Sequence, residues 1–395
     1  MLVRENLTGI NVVQAFNARD YQNDKFQDVN IEITFTQLFN QRVFAALQPI
    51  IEIATTGLWF SIYWLGAALL IPMAITERVA FFGDIVAFAI YANYILSAFM
   101  MMVMIFMMLP PALASAERIN AVFDSDISIY EGKQTVKDVS KNILEFKDVY
   151  FKYPGARNDM LKKINFEIKK GETVAIIGST GSGKSTLVNL IMRFYDATAG
   201  KIILAGKDIS TYSFDTLYNT ICMATQKPVI FYGSIKDNII FGEQEHELTD
   251  KEIDEAIRIA QAEEFIDNLK EGKDTTVSQG GKDISGGQKQ RLSIARAVAR
   301  KPEILVLDDS FSALDYKTDA KLRHELKENL KGTTVVMVAQ RIGTIKNADK
   351  ILVLENGELV GIGKHEELLQ KCQTYQEIAI SQMKAEELQK MNSNG

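Results

Sequence analysis

The sequence predicts a chain in two parts: an α-helical transmembrane segment, then an α/β domain built on a mainly parallel sheet. Three observations carry that expectation. Two long stretches near the N-terminus carry no charge. Short β-rich runs alternate with helical ones from Ile143 onward. A glycine-rich loop ending in Lys-Ser sits between a buried strand and a helix. The chain has 395 residues, enough for two domains. Its net charge of −6 argues against a nucleic-acid binder, which would usually be basic. Cys222 and Cys372 are the only cysteines and match no metal-binding spacing, so they read as packing residues in a reducing, cytosolic setting.

The uncharged stretches run from Ile53 to Thr76, 24 residues, and from Ile85 to Ala116, 32 residues. A bilayer core needs about 20 apolar helical residues. No short basic leader precedes them, so neither reads as a signal peptide. Pro72 to Asp84 reads as a short outer loop carrying Glu77, Arg78 and Asp84, and Arg42 and Arg118 place both ends in the cytosol. In "FMMMVMIFMM" (99–108), six methionines read as a lipid-facing or bundle-packing face, with a soft surface for varied apolar cargo as the second reading. Pro110 and Pro111 should interrupt the helix ladder and bend it. Glu52, near the inner end of the first span, reads as a snorkelling or interfacial acid.

"DSDISIYEGKQTVKDVS" (124–140) is polar and reads as a linker. Beyond it, "ILEFKDVYFKY" and "INFEI" predict antiparallel strands, and "ETVAIIG" (172–178) a buried strand followed by a helix over 184–193. "EILVLD" (303–308) and "TTVVMVA" (333–339) are further buried strands around a helical stretch, Lys317–Leu330. "KILVLENGELVGIG" (350–363) is a hairpin turning at Asn356-Gly357. Apolar strands alternating with helices predict a parallel sheet covered on both faces.

"GSTGSGKST" fits the phosphate-binding pattern with Gly178, Gly183, Lys184 and Ser185. Glycines let the backbone wrap phosphate oxygens at a helix N-terminus. Lys184 would reach the outer phosphates, the Ser185 hydroxyl would ligate Mg²⁺, and Asp308, ending an apolar strand, would help hold that ion directly or through water. "ISGGQKQR" (284–291) is a second phosphate-binding turn ahead of an amphipathic helix. One nucleotide does not need two such cradles, so the second is expected to serve a nucleotide held by another chain.

These motifs together resemble the ABC transporters, specifically the exporter type with membrane and ATPase domains in one chain. The resemblance covers essentially all of the chain. It implies a P-loop NTPase (ABC ATPase) domain with an antiparallel β subdomain and a helical subdomain. Tyr153 in "FKYP" matches the aromatic that stacks on adenine. Gly178, Ser179, Thr180, Gly181, Ser182, Gly183, Lys184, Ser185 and Thr186 form the Walker A loop. Gln226 matches the Q-loop glutamine, which contacts Mg²⁺ and links the site to the membrane domain. Ser285, Gly286, Gly287 and Gln288 match the signature motif, with Ile284 where leucine is usual. Ser312–Asp315, "SALD", is the D-loop. The segment 4–26 is similar to a cytosolic stretch bearing a coupling helix. The implied division is as follows: 1–124 is the C-terminal part of a membrane domain, with a coupling segment at 4–42 and spans near 43–71 and 81–109. A linker occupies 125–142, the nucleotide-binding domain 143–378 and a tail 379–395. The family's half-transporter has six spans, so the resemblance implies four spans beyond those carried here, with the chain read as a fragment, a misplaced start or one part of a split gene.

Three positions depart from the family's pattern. Asp309 stands where the general-base glutamate is expected, Gln340 in "AQR" where the switch histidine is expected, and Gln279 where a glutamate precedes the signature. His246, His324 and His365, the only histidines, lie elsewhere. Asp309 is one methylene short, which withdraws its carboxylate by about 1.5 Å, and Gln340 cannot carry a proton as an imidazole does. The expectation is a degenerate site that binds ATP with Mg²⁺ but hydrolyses it slowly, with Asp309, Gln340 and Gln226 as the catalytic set. The partner would be a second half-transporter with an intact glutamate and histidine, in a heterodimeric exporter of amphipathic or drug-like compounds in the cell membrane. Lipid or peptide export, a regulatory ATP-binding pseudo-ATPase, and a soluble ABC ATPase acting on DNA or ribosomes are the competing readings.

Overall fold

A computed structural model of the chain describes residues 2–135, 141–242 and 247–382, and the chain divides into two units between Asp126 and Ile127. His246, part of the expected linker and most of the expected tail lie outside the described residues.

The first unit is helical. Helices Leu2–Thr8 and Ile10–Ala15 fall in the expected coupling segment, and Arg19–Leu70 and Ile75–Phe123 follow at 52 and 49 residues. At 1.5 Å per residue the longer one rises about 78 Å, more than twice a hydrocarbon core. Both are long and apolar enough to cross a membrane. The outer loop is shorter than expected: only residues 71–74 separate the helices. Glu77 and Arg78 belong to the first turn of the second helix, and Asp84 lies within it. Arg78 explains the tight connection, because its guanidinium donates to the carbonyls of Met73 (3.0 Å) and Ile71 (3.1 Å) within the connection itself. The helix runs through Pro110-Pro111 to Phe123, so the expected break in the ladder does not end it. Two prolines remove two ladder bonds from a 49-residue helix, a loss that the turns on either side can bridge. A Cβ on Gly66 would lie 2.6 Å from Ile85 Cδ1, so a small residue is what lets these helices approach there.

Among the described residues the second unit carries twelve strands in order: β1 (Asn142–Phe151), β2 (Leu161–Lys169), β3 (Thr173–Gly178), β4 (Ala199–Leu204), β5 (Lys207–Asp208), β6 (Ile221–Ala224), β7 (Gly233–Ser234), β8 (Thr276–Val277), β9 (Ile304–Asp308), β10 (Thr334–Val338), β11 (Lys350–Glu355) and β12 (Glu358–Gly363). The main sheet has the order β12-β11-β3-β10-β9-β6. It is parallel from β11 to β6, and β12 returns antiparallel through Asn356-Gly357, both at positive φ (49° and 82°) as a primed two-residue turn requires. β3, β9 and β10 read as unbroken apolar runs because helices cover both faces. A second, antiparallel sheet, β2-β1-β4-β5, pairs Phe146 with Phe166 in a ring stack at 4.5 Å. Sequence patterning identified neither β4 nor β6, which are short and flanked by polar residues. The cysteines are both buried in the larger core, and burial pushes the Cys222 thiol up to about 11.

The segment read as a linker is partly docked. Gly132 N–H donates to Tyr212 O (3.1 Å), Gln134 N–H to Thr211 O (2.9 Å), and Tyr130 O accepts from the buried Arg193 (2.8 Å). Its polar composition hid this, because the bonds use backbone groups that every sequence has.

Candidate nucleotide site

Four parallel neighbours in the main sheet end at one edge, and the loops after β3, β6, β9 and β10 carry Gly178–Thr186, Gln226, Asp308–Asp309 and Gln340. Ligands of open α/β sheets bind at such carboxyl edges. β3 leads through Gly178–Gly183 into helix Lys184–Ile191. Gly183 has φ 104°, and a Cβ there would meet Leu161 Cδ2 at 2.6 Å, so glycine is required for both reasons. The Ser182 hydroxyl is buried with no hydrogen-bond partner. Ser182 O accepts from Gly357 N–H at 3.2 Å, so the β11–β12 turn buttresses the loop, a role that a hairpin turn alone does not reveal. Lys184 Nζ donates to the carbonyls of Gly178 (2.8 Å) and Ser179 (2.7 Å). Burial lowers its pKa, opposed by the charges of Asp309 and Asp308. Thr186 Oγ1 lies 3.1 Å from the Tyr153 hydroxyl, and the half-buried Tyr153 ring meets Tyr195 edge-on at 5.2 Å.

The acids differ. Asp308 is pushed up, first by burial, then by the neighbouring Asp309 charge. Asp309 is buried with φ 49°, a left-handed conformation that Asp adopts more readily than Glu. One carboxylate oxygen, Asp309 Oδ2, accepts from both Gln340 Nε2 (2.8 Å) and Gln226 Nε2 (3.2 Å). The three residues of the expected catalytic set therefore converge on a single atom. Gln226 spends its amide nitrogen on Asp309, which leaves its oxygen to face a cation. Ser185 hydroxyl, Asp308 carboxylate and Gln226 amide oxygen are hard oxygen donors that suit Mg²⁺.

The second turn stands apart. Ser285 caps helix Gly286–Ala299 in a capping box, accepting from Gln288 N–H (3.3 Å) while Gln288 Oε1 accepts from Ser285 N–H (2.8 Å). A Cβ on Gly286 meets nothing within 4 Å, and one on Gly287 would lie 3.2 Å from Ala313 O of the "SALD" turn. Ser312 Oγ in that turn donates to Asp309 O (2.9 Å). Among the described residues no hydrogen bond joins Ser285–Gln288 to Gly178–Thr186. Gln382, which no sequence pattern singled out, donates to Gln340 O (2.6 Å).

Fold and loop define a nucleotide-binding domain of the P-loop class. Residues 161–312 match the family model described as ABC transporter. The chain is 37% identical over 384 residues to an uncharacterized ABC transporter ATP-binding protein of Mycobacterium tuberculosis, covering 96% of this chain and 65% of that protein. It is 35% identical over 396 residues to Multidrug resistance protein 1 of Entamoeba histolytica, covering 96% of this chain and 30% of that protein. A bacterial Atm1-family ABC exporter with ATP bound superposes with a TM-score of 0.81 at 26% identity, over 96% of this chain and 66% of that one. Residues 161–312 carry the ABC transporter domain, and the fold of the chain is of the ABC exporter type. The chain spans about 65% of the length of the Mycobacterium relative.

Proposed function

We propose that the chain is one subunit of an ATP-driven exporter in a cell membrane. Its own site binds Mg-ATP and hydrolyses it slowly, and its Ser285–Gln288 turn completes a partner's hydrolytic site in a heterodimer. The observation that carries this reading is the double amide contact on Asp309 Oδ2. A glutamate with an imidazole beside it could take a proton from attacking water and pass it on. A shorter acid held by two amides has less reach and no proton acceptor beside it. Tyr153 and Gly178–Thr186 keep the features of a binding loop, with Lys184 for the outer phosphates. Ser185, Asp308 and Gln226 would hold Mg²⁺, which supplies charge neutralisation at the phosphates. The cargo we infer is amphipathic and drug-like. The adaptable methionines of residues 99–108 support this, as does the relative named for multidrug resistance.

The test is steady-state ATPase of the purified chain. Slow turnover with tight Mg-ATP binding is expected. Asp309→Glu with Gln340→His is expected to raise turnover by about 10²-fold, the low end of what a positioned base supplies. Brisk hydrolysis by the unmodified chain, abolished by Lys184→Ala, would overturn the slow-site reading.

A further inference from the structure

We propose that Gln382 is a positioning residue that latches the loop after β10 and so keeps the Gln340 side chain on Asp309. Gln382 is the last of the described helical residues 373–382. Its Oε1 accepts from Ile342 N–H at 2.7 Å, and its Nε2 donates to Gln340 O at 2.6 Å. The two bonds clamp both sides of Arg341. A primary amide carries a donor and an acceptor at one end, which is what this backbone segment demands. The latched residue is the one whose side chain donates to Asp309 Oδ2, which also accepts from Gln226. A continuous chain of hydrogen bonds thus runs from Gln382 through Gln340 and Asp309 to Gln226. Gln382, Gln340, Asp309, Tyr316 and Arg341 also line one cavity of about 660 Å³, with the Arg341 guanidinium 5.3 Å from the Tyr316 ring centre. Gln340 and Arg341 border that cavity, whereas Ile342 packs against the main core at the start of helix Ile342–Ile345, so the latch ties the two roomier residues to a packed one. Gln382 does not reach the carboxylates itself; it acts through Gln340.

The proposal rests on reading Gln340 as the switch residue of the nucleotide site, and two measurements on the full chain separate the two ideas. The first is amide hydrogen exchange without nucleotide. Gln382→Ala should speed exchange at Ile342 about tenfold, the loss of one net hydrogen bond, while amides of β10 stay protected. Gln382→Glu keeps an acceptor for Ile342 but, ionised, has no donor for Gln340 O, so it should hold Ile342 and release Gln340. The second is Mg-ATP turnover. Gln382→Ala and Gln340→Ala should lower kcat by the same factor with KM within about twofold, and the double variant should fall no further. Gln382→Glu should recover toward the unmodified chain as pH falls and its carboxyl regains a proton to donate. Unchanged exchange at Ile342 overturns the latch. Faster exchange with kcat unaffected, when Gln340→Ala does lower it, overturns the positioning role and leaves the proposed function standing. An inert Gln340→Ala overturns both the positioning role and the switch reading.

Discussion

At the scale of single residues, the site is shaped by the conflict between burying two adjacent carboxylates and leaving them able to act. Asp308 is raised above the ordinary carboxylate range by burial and by Asp309. For an acid raised on folding, the folded state holds a proton that the unfolded state has lost. Stability is therefore unpenalised below the unfolded value, near 3.9, and is lost as pH rises through the folded value. Asp308→Asn is accordingly expected to raise the thermal unfolding midpoint of the ligand-free chain at pH 7 and to remove this group's own loss of stability as pH rises from the unfolded value. The same change should weaken the Mg²⁺-dependent part of ATP affinity. Thermal melts across pH, with and without Mg-ATP, check both; a lower midpoint in the ligand-free variant would show that Asp308 is not strained. Asp309 adds a backbone component. At φ 49° an aspartate is tolerated better than a glutamate, so the shorter acid matches its conformation as well as its amide contacts. In Asp309→Glu, part of any gained reach is therefore offset by backbone strain, which is why the paired change with Gln340→His is the stronger test.

At the scale of elements, the phosphate loop depends on a hairpin far from it in sequence. Gly357 has φ 82°, its N–H donates to Ser182 O, its O accepts from Lys162 N–H at 2.8 Å, and a Cβ there would strike Met160 O. Gly357→Ala should cost about 2 kcal/mol or more, about 1–2 for the left-handed conformation and the rest for the contact. It should also weaken ATP binding, whereas a substitution of Glu358 at the same turn, exposed and clear of the loop, should do neither by more than about 0.5 kcal/mol. Denaturant unfolding and nucleotide titration of the two variants give the comparison. The helix starting at Gly286 illustrates a related economy: Ser285 and Gln288 satisfy each other's backbone groups, so the turn is formed before any ligand meets it.

At the scale of the whole molecule, each motif set should affect a different nucleotide. Ser285–Gln288 and Gly178–Thr186 are not hydrogen-bonded to one another within the described residues, and in the proposed heterodimer they would face two separate sites. Ser285→Arg is expected to abolish transport-coupled ATPase by placing bulk and charge in the partner's site. Lys184→Ala is expected to lower it only partly, because it empties the slow site. Measured in reconstituted vesicles holding both subunits, equal losses from the two variants would overturn the asymmetric assignment.

The phosphate loop, the Asp308 strand and the signature turn were legible because their chemistry demands fixed residue types at fixed short spacing. The long apolar stretches were legible because a membrane imposes length. So were the buried strands β3, β9 and β10, whose double-sided burial leaves an unbroken apolar run. Tertiary structure alone decided that Gln226, Gln340 and Asp309 share one carboxylate oxygen, that Gly357 supports the loop, and that Gln382 latches residues 340 and 342. Those contacts join residues 31 to 175 positions apart, or 40 and 42 for the latch. Hydrogen bonds between loops follow from which strands lie side by side, and no local periodicity encodes that order.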